Sequence, residues 1–167
     1  MKAVKYLVFV LAVVFISSTV HAKDLKIAYV DLGRIFDSYQ KTKDYDVVLQ
    51  KEGDDFQKQR DEMVNKLKDM QGKMALMKDD EKKKMTDGFD KEKNNLIDFD
   101  KNKRSELTQK RNDKVKEILQ EIQKIVEGIA TKEGYTYVLN DRVMVYGDKE
   151  FNLSDMVLKA LNDSYKK

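Results

Sequence analysis

The sequence predicts an α+β protein in which a long antiparallel α-helical hairpin, a coiled-coil-like arm, projects from a small β-sheet body shared between subunits. Three observations carry this prediction. Proline is absent, and from Asp37 to Glu133 charged residues alternate with regularly spaced apolar ones, the pattern of long uninterrupted helix. Both ends of the chain instead hold short β-branched and aromatic runs bounded by turn residues. Those ends, Asp24 to Phe36 and Gly134 to Lys167, hold only 47 residues, close to the lower limit of about 40 for a self-standing core. Without cysteine there is no disulfide to help, and strand edges would stay open, so sharing the sheet between subunits is the expected solution.

The chain begins MKAVKYLVFVLAVVFISSTVHA. Two lysines, an apolar run from Tyr6 to Ile16 and a closing Val20-His21-Ala22 have the order of a secretory signal peptide cleaved after Ala22. The apolar run is short against the roughly 20 residues that span a bilayer, which favours cleavage over an uncleaved anchor. The expected organisation is a leader at 1–22, a body and oligomerisation region at 23–36 and 134–167, and an arm at 37–133 with its tip near 78–81. Removal of the leader takes away the single histidine and two of the 33 basic residues, leaving 31 bases against 30 acids, a net of +1. The basic pI is therefore no sign of a nucleic-acid binder. Without histidine or cysteine, zinc sites built on those residues, Ser-His-Asp triads and thiol catalysis are excluded.

In chain order, Lys26 to Asp31 reads as a short strand before a turn at Gly33. In the first arm helix Leu49, Phe56, Met63, Met70 and Met77 recur every seven residues, with Leu67 and Met74 at the companion positions. Gly53 and Arg60 leave that seam half built nearer the body. In the second helix Met85, Leu96, Leu107, Ile118 and Ile129 lie eleven apart, a period that does not favour left-handed supercoiling. The two rhythms predict a loose hairpin whose packing improves near Ile118 to Ile129. At the tip, Lys73 and Lys78 suit the carboxyl end of the incoming helix, and Asp79, Asp80 and Glu81 the amino end of the outgoing one, with Asp79 or Asp80 as its cap. One continuous helix through this point is the competing reading.

Gly134 is a candidate left-handed stop for the second helix. Tyr135 to Leu139 and Val143 to Tyr146 then read as a β-hairpin about a turn at Asn140-Asp141-Arg142. Leu153, Met156, Val157, Ala160 and Leu161 line one side of a terminal helix capped by Asn152 or Ser154.

The ends resemble the Skp/OmpH periplasmic chaperones of bacteria with an outer membrane. At the amino end the resemblance lies in Lys26-Ile27-Ala28-Tyr29-Val30-Asp31 followed by Arg34-Ile35-Phe36. At the carboxyl end it lies in Glu133-Gly134-Tyr135, Tyr137-Val138-Leu139, Val145-Tyr146, Asn152-Leu153-Ser154-Asp155 and Val157 to Asn162. The family commonly has aspartate where Asn152 stands and threonine at Ser154. The arms match only as long charged helices. The resemblance implies a homotrimer with a small shared β body, three helical hairpins around a cavity, and ATP-independent holding of unfolded outer-membrane β-barrel proteins there. Lipopolysaccharide-binding basic residues are described for some members, but no motif in these arms carries that role residue by residue.

The candidate residues fall into three sets. Met63, Leu67, Met70, Met74, Met77, Met85 and Phe89 are the candidate client-binding stripe, because flexible polarizable thioethers adapt to irregular apolar surfaces. Ordinary packing of the hairpin against itself is the alternative use of the same stripe. Lys101, Lys103, Arg104, Lys110 and Arg111 belong to a run from Lys101 to Lys116 with seven bases and two acids, which would draw acidic clients or anionic lipid headgroups. A solvated face laced with ion pairs is the alternative there. Ile27, Tyr29, Tyr137, Val138, Val143 and Val145 are the candidate oligomerisation residues. No metal, cofactor or nucleic-acid partner is expected: Asp79-Asp80-Glu81 lacks a calcium-loop pattern, and Gly53, Gly72 and Gly88 are too scattered to cradle phosphate. Carboxylates in no recognisable pocket argue against an enzyme. The alternative to a holdase is a structural spacer or tether in the cell envelope.

Overall fold

The computed structural model describes residues 25–166. The expected leader at 1–22 and its cleavage after Ala22 lie outside the described residues. The element order is β1 (Ile27–Val30), α1 (Leu32–Ser38), α2 (Gln40–Ala75), α3 (Asp79–Glu133), β2 (Tyr137–Asn140), two 3₁₀ turns at Asp141–Val143 and Lys149–Phe151, and α4 (Ser154–Tyr165). The fold is mostly helical, with two long helices and a small sheet, as the sequence predicts; among the described residues that sheet has two strands.

The arm is α2 and α3, 36 and 55 residues long, or about 54 and 82 Å at 1.5 Å per residue. Residues 76–78 separate them, so the chain does reverse rather than continue as one helix. Lys73 falls in the last turn of α2, and Asp79, Asp80 and Glu81 in the first turn of α3, as the helix dipoles favour. The cap differs from expectation. Lys78 holds the capping position without a side-chain bond, and Asp79 and Asp80 already lie inside the helix.

Gly33 is not a turn residue. It lies in α1, which starts because the Asp31 side chain accepts from the Arg34 N–H at 2.8 Å. Tyr39, extended at φ −65° and ψ 128°, separates α1 from α2. Gly134 does stop α3, at φ 74° and ψ 26°, and the Lys26 ammonium caps that end by donating to the Glu133 carbonyl at 2.8 Å.

The predicted hairpin is replaced by a parallel pairing: β2 lies beside β1, with Ile27 opposite Tyr137 and Val30 opposite Asn140. Parallel strands need a long crossover, and here the entire arm serves as one. Val143 to Tyr146 forms no strand. The Asn140 side chain accepts from the Arg142 N–H, and the Met144 N–H bonds back to the Asp141 carbonyl, so the chain coils into a 3₁₀ turn where a hairpin turn was expected. The other side of β1 receives the Leu153 N–H on the Tyr29 carbonyl at 2.9 Å.

The start of α4 is also built differently. Leu153 is the capping residue and carries no side-chain bond. Asn152, one position earlier, accepts from both the backbone N–H and the hydroxyl of Ser154, and buried Ser154 in turn accepts from the Asp31 N–H at 2.8 Å. One serine thus joins the end of β1 to the start of α4.

The core gathers Ala28 and Val30 of β1, Ile35 of α1, Tyr39, Ile118 and Ile122 of α3, and Leu153, Val157 and Leu161 around α4. The terminal segments therefore do not pack alone; the base of α3 completes their core. Met156, expected on the inner face of α4, is half exposed, and Leu158 packs inward.

Candidate functional site

The outer arm follows from its seam. Met63, Leu67, Met70, Met74, Met77, Met85 and Phe89 are all half-buried, neither sealed nor free. Between Phe56 and Ile118 no side chain is fully buried, which accords with two helices of unlike period that cannot interlock along their length. Phe56 and Phe99 meet across the hairpin with ring centroids 5.6 Å apart. Farther out Gly88 faces Met70: a Cβ placed there would stand 3.8 Å from the Met70 methyl. Ion pairs between the helices supply the remaining cross-links, Arg60 with Asp100 at 3.0 Å and Lys66 with Glu92 at 2.7 Å. Such partly exposed pairs contribute little each, so the outer arm is closed weakly.

The basic run is less free than its sequence implies. Lys103 bonds Glu106 at 2.8 Å, Arg104 bonds Asp100 at 3.4 Å, and Lys110 reaches both Glu52 across the hairpin and Glu106. These bonds hold Lys110 above the ordinary lysine range and Glu106 below that of a free glutamate. Lys101 and Arg111 are exposed, and no ion pair among the described residues includes them.

A third cluster, at the base of the arm, is invisible in the sequence. Buried Tyr39 donates to Glu121 at 3.1 Å, and Lys41 bonds both Glu121 and Glu117, the latter at 2.6 Å. Lys114 bonds the second oxygen of Glu117, also at 2.6 Å. The hydrogen bonds from Lys114 and Lys41 pull the Glu117 carboxyl down to about 2. Burial, then the charge of Glu121, pushes the Tyr39 phenol up to about 12. Burial works against the Lys41 ammonium, but its two carboxylate partners outweigh this and hold it well above the ordinary value. From α4, Asn162 accepts from the Gln40 N–H at 2.9 Å, and Tyr165 stacks edge-on against Tyr39 and donates to Asp44. The arm root is thereby fixed to the body. The local signal in the sequence is the three-residue spacing of Lys114 and Glu117; Tyr39 and Lys41, the other partners, are about 80 residues away.

On the body, the candidate assembly residues divide. Val138 packs against the core, and Tyr29 is half-buried under Gly147. Ile27, Tyr137, Val143 and Val145 are exposed, with Val143 at 74% and Val145 entirely so. Tyr146 is exposed beside them, and Leu25, Ile27, Tyr29, Met144 and Phe151 line an open groove of about 530 Å³. Isolated exposed apolar side chains are ordinary; here several lie together on a small body.

Comparison with known proteins agrees with this geometry. The family model described as outer membrane protein (OmpH-like) matches residues 26–161. The chaperone protein Skp of Vibrio cholerae is 28% identical over 143 residues, covering 81% of this chain and 83% of its own. A crystal structure of an OmpH-like outer-membrane chaperone from Caulobacter crescentus shares the fold at a TM-score of 0.71, covering 88% of this chain and 90% of that one, with 14% identity. The arm, both strands and the first two turns of α4 fall within the matched span, and the chain belongs to the OmpH-like family of outer-membrane chaperones.

Proposed function

We propose that the protein is an ATP-independent periplasmic holdase that encloses unfolded outer-membrane β-barrel proteins between its arms and prevents their aggregation. The observation that carries this reading is the half-buried methionine seam of a weakly closed arm. It offers adaptable apolar contact without a rigid groove of fixed shape. Unfolded barrel strands expose alternating apolar side chains and unpaired edges that aggregate with one another. Many weak contacts to several arms add through multivalency, while each remains exchangeable.

Three copies assemble through the exposed apolar surface around Ile27, Tyr137, Val143 and Val145, with Tyr29 and Val138 supporting it from within. Lys101 and Arg111 provide the free positive charge for acidic clients or anionic headgroups. Lys110 ties α3 to α2 through Glu52, and Lys103 and Arg104 pair within α3, so the charge of all three is already matched. The test is light scattering of the purified processed protein with and without a urea-unfolded outer-membrane barrel, paired with turbidity of the diluted barrel. Three subunits binding one client, with turbidity suppressed without ATP, is the expected result. A folded monomer at micromolar concentration, or a client that aggregates at its unassisted rate, rejects the proposal.

A further inference from the structure

Residues 23–167 contain no cysteine, tryptophan or histidine. Methionine is thus the side chain in this segment most open to two-electron oxidation. Five methionines, Met63, Met70, Met74, Met77 and Met85, fall within 23 residues around the arm tip, and all are half-buried, within reach of a small oxidant yet part of the seam. The tip also lies in the weakly packed part of the arm, since no side chain between Phe56 and Ile118 is fully buried. Leu76 at the turn is 91% exposed and stabilises nothing there.

We propose that the five tip methionines form a reversible oxidation site, at which hydroperoxides convert the thioethers to sulfoxides and so open the end of the arm. The sulfur lone pair attacks the distal peroxide oxygen, the O–O bond breaks, and an S–O bond forms. The departing oxygen takes a proton and leaves as water or alcohol; sulfur is oxidised by two electrons and the peroxide reduced by two. Dithiol-dependent methionine sulfoxide reductases reverse the step, releasing water and leaving the dithiol as a disulfide. The sulfoxide is polar and strongly hydrogen-bonding, so returning it to the seam costs the hydration it gains outside. Met70 illustrates the placement, since its methyl points toward Gly88 of the facing helix, where a Cβ would stand 3.8 Å from it. The base of the arm is insulated, since its closure rests on Ile118, Ile122 and the Tyr39–Lys41–Glu117–Glu121 cluster, which contain no sulfur.

This inference concerns the free protein and stands whether or not the arms hold clients. The experiment treats the purified protein with millimolar hydrogen peroxide, maps oxygen gain by peptide mass, and follows amide hydrogen exchange before and after repair by sulfoxide reductases with dithiothreitol. Half-exposed Met156 on the body is the internal reference for reactivity. Expected are sulfoxides at the tip, exchange across residues 60–95 faster by on the order of tenfold, unchanged exchange around Ile118 and Ile122, and recovery on repair. A variant with leucine at all five positions, a change of nearly constant volume, keeps its exchange pattern under peroxide. Tip methionines that stay reduced while Met156 is oxidised, or sulfoxides that form without altering exchange, overturn the proposal.

Discussion

Truncation of Ile122 to alanine tests where the stability of this protein resides. Ile122 is completely buried on α3, in contact with the core formed by β1, α1 and α4. The change removes three carbon groups, worth about 0.8 kcal/mol each, or ~2.4 kcal/mol of transfer free energy. Incomplete collapse of the cavity raises the total to roughly 3–4 kcal/mol. At ~3 kcal/mol the folded-to-unfolded ratio falls more than a hundredfold. With a urea slope of about 2 kcal/mol/M, the midpoint moves down by roughly 1.5 M. The assay is urea unfolding followed by circular dichroism at 222 nm, with parent and variants at one protein concentration because assembly shifts the midpoint. Leu107→Ala is the control: it is apolar and on the same helix, but only half-buried in the outer arm, and should lose about 1 kcal/mol or less. A midpoint for Ile122→Ala within about 0.3 M of the parent, or an equal loss in the control, would refute the assignment of the stabilising core to the base of the arm.

Acid titration reads the arm root. Glu117 is held near 2 from its ordinary 4.5, so its contribution is present above pH 4.5 and lost as the pH falls toward 2; Glu117→Gln should flatten the melting temperature over that interval. At the alkaline end Tyr39 titrates near 12 rather than 10, so its contribution is present below pH 10 and lost as the pH rises toward 12, a loss that Tyr39→Phe removes. Gly134 and Gly128 both have open space around the missing Cβ, but only Gly134 has positive φ. Gly134→Ala should therefore destabilise by about 1 kcal/mol, whereas Gly128→Ala, inside α3, should stabilise by about 0.5–1 kcal/mol, both measured by thermal unfolding. Val145→Asp leaves the single chain's packing untouched, since Val145 is fully exposed, and should lower the assembled mass in light scattering without altering helix content; an unchanged mass removes Val145 from the assembly surface.

What was legible in the sequence was what is local. Helix over the arm follows from spacing and the absence of proline, and the reversal near Lys78 follows from charges that match helix dipoles within one turn. Gly134 as a stop is also local, because only its own φ is at issue. The same reasoning misread Val143 to Tyr146, whose β-branched and aromatic residues suit a strand. The Asn140 side chain captured the Arg142 N–H and coiled the chain first. It also read Gly33 as a turn, where the Asp31 side chain had started a helix. In both cases a single side-chain acceptor, two or three residues away, outweighed propensity.

The sequence by itself determined two long helices, a weak seam between them, and small β-type ends. Only the tertiary structure decided that β1 pairs parallel with β2, that α3 lends Ile118 and Ile122 to the body core, and that Tyr39 and Lys41 lock onto Glu117 and Glu121. Those contacts join residues about 80 to 110 positions apart. No periodicity encodes them: the crossover length of a 91-residue pair of helices, and the angle at which it returns, set which side chains meet.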